Sequence, residues 1–174
     1  MAKVSFTKLG LKANQEVTTI EINEQIIEVK QYLPINDKLE LISRIINLSH
    51  DENNFANPVK VSIFTTLEMI YAYTNINFTD KQKEDPAKLY DILVSSGFVS
   101  IISRAISETE KNDIIEGVSK SIDAIYTYRN SVMGILDTVS TDYSNLNLDA
   151  TDIQKKLSDP DNMTLLKDVL TKLG

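Results

Sequence analysis

Between positions 107 and 143 the apolar residues Ile114, Ile115, Val118, Ile122, Ile125, Tyr126, Met133, Ile135, Leu136 and Val139 recur mostly at helical spacing. A helix over that stretch would carry one long packing surface, so its neighbours must be elements able to cover it. Ser107 and Glu110 have the spacing of a capping box, in which the serine oxygen accepts a backbone N–H and the glutamate satisfies the reciprocal donor. The spacing predicts one continuous helix over 107–143. Gly117 and Gly134 permit bending within it, and each costs an exposed turn roughly 1 kcal/mol relative to Ala.

A chain of 174 residues has room for a substantial core, and a single domain over 1–174 is expected. Its apolar fraction of 42% and charged fraction of 25% are ordinary for a globular protein, which argues against wholesale disorder. Eighteen basic against 25 acidic residues give a formal charge of -7, which disfavours a broad nucleic-acid surface, so no nucleic acid is expected as primary partner. With no cysteine, the chain makes no disulfide, uses no thiolate and builds no zinc site that needs one. The N-terminus lacks the basic segment and apolar run of a secretion signal, and no run nears the roughly 20 apolar residues that span a bilayer. Synthesis in the cytoplasm and no membrane partner are the resulting expectations.

The first 33 residues read as an extended subregion. Val4, Phe6, Leu9 and Leu11 mix with β-forming neighbours and could begin a strand, with Gly10 interrupting it. Stretches 18–22 and 26–32 are better strands. Ile20 and Ile22 share one face of the first, Ile27 and Val29 one face of the second, and Asn23, Glu24 and Gln25 supply a polar turn. Such a hairpin needs a helical layer or a partner over its apolar face. If uncovered, it can recruit a neighbour by strand addition; if covered, it only stabilises its own subunit.

Helical periodicity begins after Leu33 and Pro34, with Asn36 as the expected cap and Leu39, Ile42, Ile45 and Ile46 as the apolar positions. Asn57 and Pro58 mark the entrance to a second helix lined by Val59, Ile63, Phe64, Leu67, Ile70 and Tyr71. Residues 79–86 read as a solvent-facing connection or lid of mixed charge. A short helix follows from Pro86 through Leu89, Ile92 and Leu93, stopped by Ser95, Ser96 and Gly97, and a highly apolar one from Phe98 through Ile101, Ile102 and Ile106. Beyond the long stretch, Asp149 caps a short helix with Ile153 and Leu157, and Met163, Leu166, Val169, Leu170 and Leu173 mark a last amphipathic one. The fold class expected is α+β, a predominantly helical compact domain with a helical core over 34–174 and a small N-terminal antiparallel sheet or hairpin.

The chemical inventory is sparse. His50 lies near Asp51 and Glu52, but no ligand spacing completes a metal site. Two acidic groups, Glu108, Glu110 and Asp113, then Asp149, Asp152, Asp159 and Asp161, match neither an EF-hand nor a two-metal framework and read as caps and solvated faces. There is no nucleophile elbow around Ser95, no phosphate loop and no dinucleotide fingerprint. No catalytic residue, cofactor or metal ligand is therefore nominated.

The block over 20–48, including 26–34 and 39–46, resembles small structural or assembly-associated proteins encoded by tailed phages of low-GC Gram-positive bacteria, and the similarity continues through 54–78 and 80–93. The resemblance implies a virion protein or assembly factor, made in the cytoplasm of an infected host and carried into the virion if structural. The function expected is noncatalytic assembly with phage structural proteins or with copies of itself. Its candidate interaction surface is Val4, Phe6, Ile20, Ile22, Ile27, Val29, Tyr32, Phe98, Ile101 and Ile102. The alternative is an acidic adaptor or inhibitor that binds a host macromolecule.

Overall fold

Asn23 and Glu24 both adopt positive φ, 50° and 64°, and turn the chain tightly between two strands, β1 (Val17–Ile22) and β2 (Gln25–Lys30). Two consecutive left-handed residues match the right-handed twist of a hairpin, and asparagine tolerates that conformation best after glycine. The computed structural model to which these elements belong describes residues 3–51 and 55–145. The antiparallel register pairs Val17 with Lys30, Thr18 with Val29, Ile20 with Ile27 and Ile22 with Gln25. Period-two alternation therefore places Ile20, Ile22, Ile27 and Val29 on one face, as the sequence predicts, and that face meets the core.

The expected strand near the N-terminus is instead one 3-10 turn, Phe6–Leu9, closed by Gly10 in the left-handed region at φ 60°. No residue of that turn is buried, so no core face is available to hold an extended strand in register.

The hairpin leads into α1 (Ile35–Ser49), α2 (Pro58–Tyr73), the single turn α3 (Asp80–Lys83), α4 (Pro86–Ser95) and α5 (Phe98–Ala105). Pro34, not Asn36, stands at the N-cap of α1, and Asn36 lies within its first turn. The buried stripe of α1 is Lys38, Leu41, Ile45 and Ser49, so Leu39 points outward. Asn57 caps α2 by accepting from the amides of Val59 and Lys60, with Pro58 at the first helical position where its missing N–H costs nothing. Residues 79–86 include one more helical turn than the sequence suggested, because Thr79 and Gln82 close a capping box around α3. Gly97, at φ 75°, ends α4 and opens α5.

The expected continuous helix over 107–143 is two helices, α6 (Glu108–Arg129) and α7 (Val132–Asn145). Ser131 makes the break. Its hydroxyl donates to the Tyr128 carbonyl at 2.5 Å and accepts from the Gly134 amide at 3.1 Å, which ends one helix and caps the next. Glu110 does not close the expected capping box with Ser107, since both of its carboxylate oxygens are engaged elsewhere.

The arrangement is α+β, mostly helical with a small antiparallel sheet at the N-terminal end. Residues Met1–Ile125 form one compact unit, and a second begins at Tyr126, within the last turns of α6. The core of the first unit gathers Val29, Leu33, Leu41, Ile45, Leu67, Tyr73, Ile102 and Ile114 from β2, the link to α1, and α1, α2, α5 and α6. The second unit holds α7, and within it the Tyr128 phenol donates to Asp137. The elements expected around Asp149, Ile153, Leu157 and Met163 lie outside the described residues.

Candidate functional site

The two edges of the hairpin are treated differently. On the β2 side, the Asn75 side chain accepts the Glu28 amide at 3.1 Å, the Asn75 amide donates to the Glu28 carbonyl at 3.2 Å, and Thr74 bridges to Val29. The segment leaving α2 thus covers the middle of that edge, at Glu28 and Val29. On the β1 side nothing equivalent is present among the described residues.

Ladder parity identifies which groups are left open. A two-residue turn makes Ile22 and Gln25 a hydrogen-bonded pair, so Ile20 with Ile27 and Thr18 with Val29 are hydrogen-bonded pairs too. The Gln31 amide donating to the Glu16 carbonyl at 3.0 Å continues the same alternation. It follows that the N–H and C=O of Val17, Thr19 and Glu21 point away from β2. The strand carries neither proline nor a bulge, and Glu21 is its only charged residue, so the usual devices that blunt an edge are nearly missing.

The candidate interaction residues separate by burial. Val4, Phe6, Tyr32 and Ile101 are exposed, and Ile20, Ile22 and Phe98 are half-buried against the core. Ile27, Val29 and Ile102 must be withdrawn from the surface. Val29 is 0% and Ile102 1% exposed, and Ile27 is buried with them, so their apolar area is spent inside the subunit. They support the hairpin and α5 without facing a partner.

Sequence reasoning missed a buried polar clasp. Lys38 of α1 donates to Glu110 of α6 at 2.6 Å and to Asp113 at 2.8 Å. The second Glu110 oxygen accepts the Leu33 amide at 3.0 Å and the Tyr73 hydroxyl of α2 at 2.8 Å. The Lys38 and Glu110 side chains are only 9% and 6% exposed, whereas Asp113 is half open to solvent. The Tyr32 ring lies under the same ammonium at 5.2 Å.

Burial lowers the proton affinity of Lys38, but hydrogen bonds to Asp113 and Glu110, with their charges, outweigh it and leave the amine above its ordinary value. Burial, then the hydrogen bond to Glu110 and the charges of Glu110 and Asp113, push the Tyr73 phenol far up. Each group is thereby held in the protonation state that suits a clasp. No buried side-chain polar atom among the described residues lacks a partner. With its oxygens shared among a cation, an amide and a phenol, Glu110 joins α1, α2, α6 and the link between β2 and α1, and this arrangement holds the fold.

Other chemical candidates disperse. His50 directs Nδ1 at the Ile46 carbonyl, 2.6 Å away, and Glu108 pairs with Lys111 at 2.6 Å. Among the described residues no three His, Asp or Glu side chains converge as metal ligands. The second acidic group, from Asp149 to Asp161, lies outside them. A cleft of about 160 Å³ between α2, α5 and the start of α6 is lined chiefly by Met69, Ile70, Val99, Ile102, Ile106 and Ile115. Its mostly apolar wall offers little to orient a reacting group. Among the described residues no helix is long and apolar enough to cross a membrane. No protein-family model, curated protein or solved structure matches the chain.

Proposed function

We propose that this chain is a noncatalytic structural or morphogenesis protein of a tailed bacteriophage, and that it works by protein–protein assembly through the open edge of β1. The observation that carries the assembly reading is the asymmetry of the hairpin: the subunit covers the middle of the β2 edge with Thr74 and Asn75 and leaves Val17, Thr19 and Glu21 without backbone partners among the described residues. An exposed strand of this kind is a template for another chain. Exposed Val4, Phe6, Leu9 and Leu11 lie just before it in the chain and add apolar area of the sort a partner buries. The phage assignment rests on the resemblance over 20–48 and its continuation to position 93.

The test is native mass analysis of the protein recovered from infected cells, run beside intact particles. The expected result is recovery in complexes with virion proteins or with itself, or incorporation into particles. A strictly solitary chain that binds no virion component would sink the reading. A specific host complex with no recruitment into particles would favour the acidic adaptor or inhibitor, for which the charge of -7 is the supporting feature.

A further inference from the structure

We infer that the open edge of β1 pairs with the same edge of a second copy of this chain, antiparallel, about a two-fold axis through Thr19. This rests on the assembly reading above and names its partner. Only Val17, Thr19 and Glu21 have outward-facing backbone groups, so two identical edges meet odd position to odd position. Within the strand, the register that uses all three sets Val17 against Glu21 of the second copy, Thr19 against Thr19, and Glu21 against Val17. It forms about six backbone hydrogen bonds, two at each pair. A slip of two residues in either direction loses one of the three pairs.

The side chains agree with that register. Neither Glu21 faces the other, and threonine across from threonine is a favourable cross-strand pair. Val17 is opposite Lys30 on β2, so on the exposed face the row runs Lys30, Val17, then Glu21 of the second copy. Lysine and glutamate thus stand two strand spacings apart, roughly 9.5 Å, on either side of a valine they can reach across. The two-fold makes that contact twice. On the opposite face Thr18 meets Ile20 of the second copy, and the half-buried Ile20 and Ile22 gain cover.

Closure also favours a copy over an unlimited stack. Thr74 and Asn75 occupy the outer edge of β2, so the joined sheet runs β2, β1, β1, β2 and stops at four strands. An isologous dimer is the result.

The 174-residue chain is suited to a direct test because it has no cysteine of its own. Thr19 residues related by the axis would have Cα atoms about 5.5 Å apart, within disulfide reach. Val17 residues would be offset by four positions, more than about 13 Å along the strand. Native mass analysis of the wild type is expected to give two chains, and oxidation is expected to convert Thr19→Cys, but not Val17→Cys, to a covalent dimer. Thr19→Pro removes an N–H that β2 does not use, and is expected to give one chain with an unchanged circular dichroism spectrum. A wild type of one chain at micromolar concentration, or cross-linking of Thr19→Cys no greater than that of Val17→Cys, overturns the pairing. Should such a single chain still be recovered with other virion proteins, the symmetric pairing falls while the assembly reading stands.

Discussion

Lys38 on α1 and Glu110 at the head of α6 meet at 2.6 Å with both side chains almost wholly withdrawn from water. The pair is separated by 72 positions in the chain, so it forms only when the helices have docked. Removing Glu110 leaves the buried Lys38 ammonium only the half-exposed Asp113 as counter-ion. Glu110→Ala strips partners from the Lys38 ammonium, the Leu33 amide and the Tyr73 hydroxyl together. We expect it to cost about 3–5 kcal/mol, read from chemical denaturation midpoints. Lys38→Met with Glu110→Leu should recover part of that loss, because no charge then stays buried, but not all, because the amide and phenol remain orphaned. A Glu110→Ala protein as stable as wild type would show that the clasp contributes nothing.

The same clasp fixes how stability depends on alkali. Lys38 and Tyr73 both have folded-state proton affinities above their ordinary values of 10.5 and 10.0. The folded protein therefore binds more protons than the unfolded chain once pH exceeds about 10, and stability must fall as pH rises from there. Below that range both contributions are fully present. Denaturation free energies at pH 9 and 11 should show the decline, with a smaller slope in Tyr73→Phe. That variant should also lose about 1–2 kcal/mol at neutral pH, since the phenol no longer donates to Glu110. A profile flat across the alkaline range in the wild type would contradict the linkage.

Asn75 holds the covered edge of the hairpin through Glu28. Replacing it with alanine removes the side-chain acceptor of the Glu28 amide but leaves the backbone bond from residue 75. We expect Asn75→Ala to cost about 1 kcal/mol and to speed hydrogen exchange at the Glu28 amide. It also uncovers part of a second edge, so species larger than those of the wild type should appear on sizing. Unchanged exchange at Glu28 would mean that the backbone bond alone guards the edge.

The hairpin was legible because alternation is short-ranged: Ile20, Ile22, Ile27 and Val29 share the core face that period two assigns them. The clasp left a trace that apolar counting passes over. Lys38 sits on one stripe with Leu41 and Ile45, and Glu110 on one stripe with Ile114 and Val118, so each helix carries a charge in register with its apolar positions, and the two charges are opposite. Read as a pair, those residues would have nominated each other. Which candidate surface residues face out was not legible, because Ile101 and Ile102 have the same chemistry and only packing decides that one is exposed and the other buried. The cover over β2 was hidden for a different reason. Asn75 reaches Glu28 across 47 positions, and no local pattern encodes that contact.

Gly134 is where local propensity and tertiary geometry oppose each other most sharply. In an exposed helix, glycine to alanine gains roughly 1 kcal/mol. Here a Cβ at position 134 would collide with the Tyr128 carbonyl oxygen and lie 2.9 Å from the Arg129 Cα. Those are backbone atoms, so they cannot rotate aside. At Gly117 the obstacle is Ile42 Cδ1 at 2.5 Å, the free end of a side chain that can change rotamer. We therefore expect Gly117→Ala to be close to neutral, and Gly134→Ala to lose about 1–3 kcal/mol locally because overpacking against fixed backbone exceeds the helical gain. The loss should appear as faster amide exchange at Ser131, Gly134's replacement and Ile135, the positions that Ser131 holds in the turn between α6 and α7. Slower exchange there, with higher stability, would mean that the alanine had been accommodated beside the Tyr128 carbonyl.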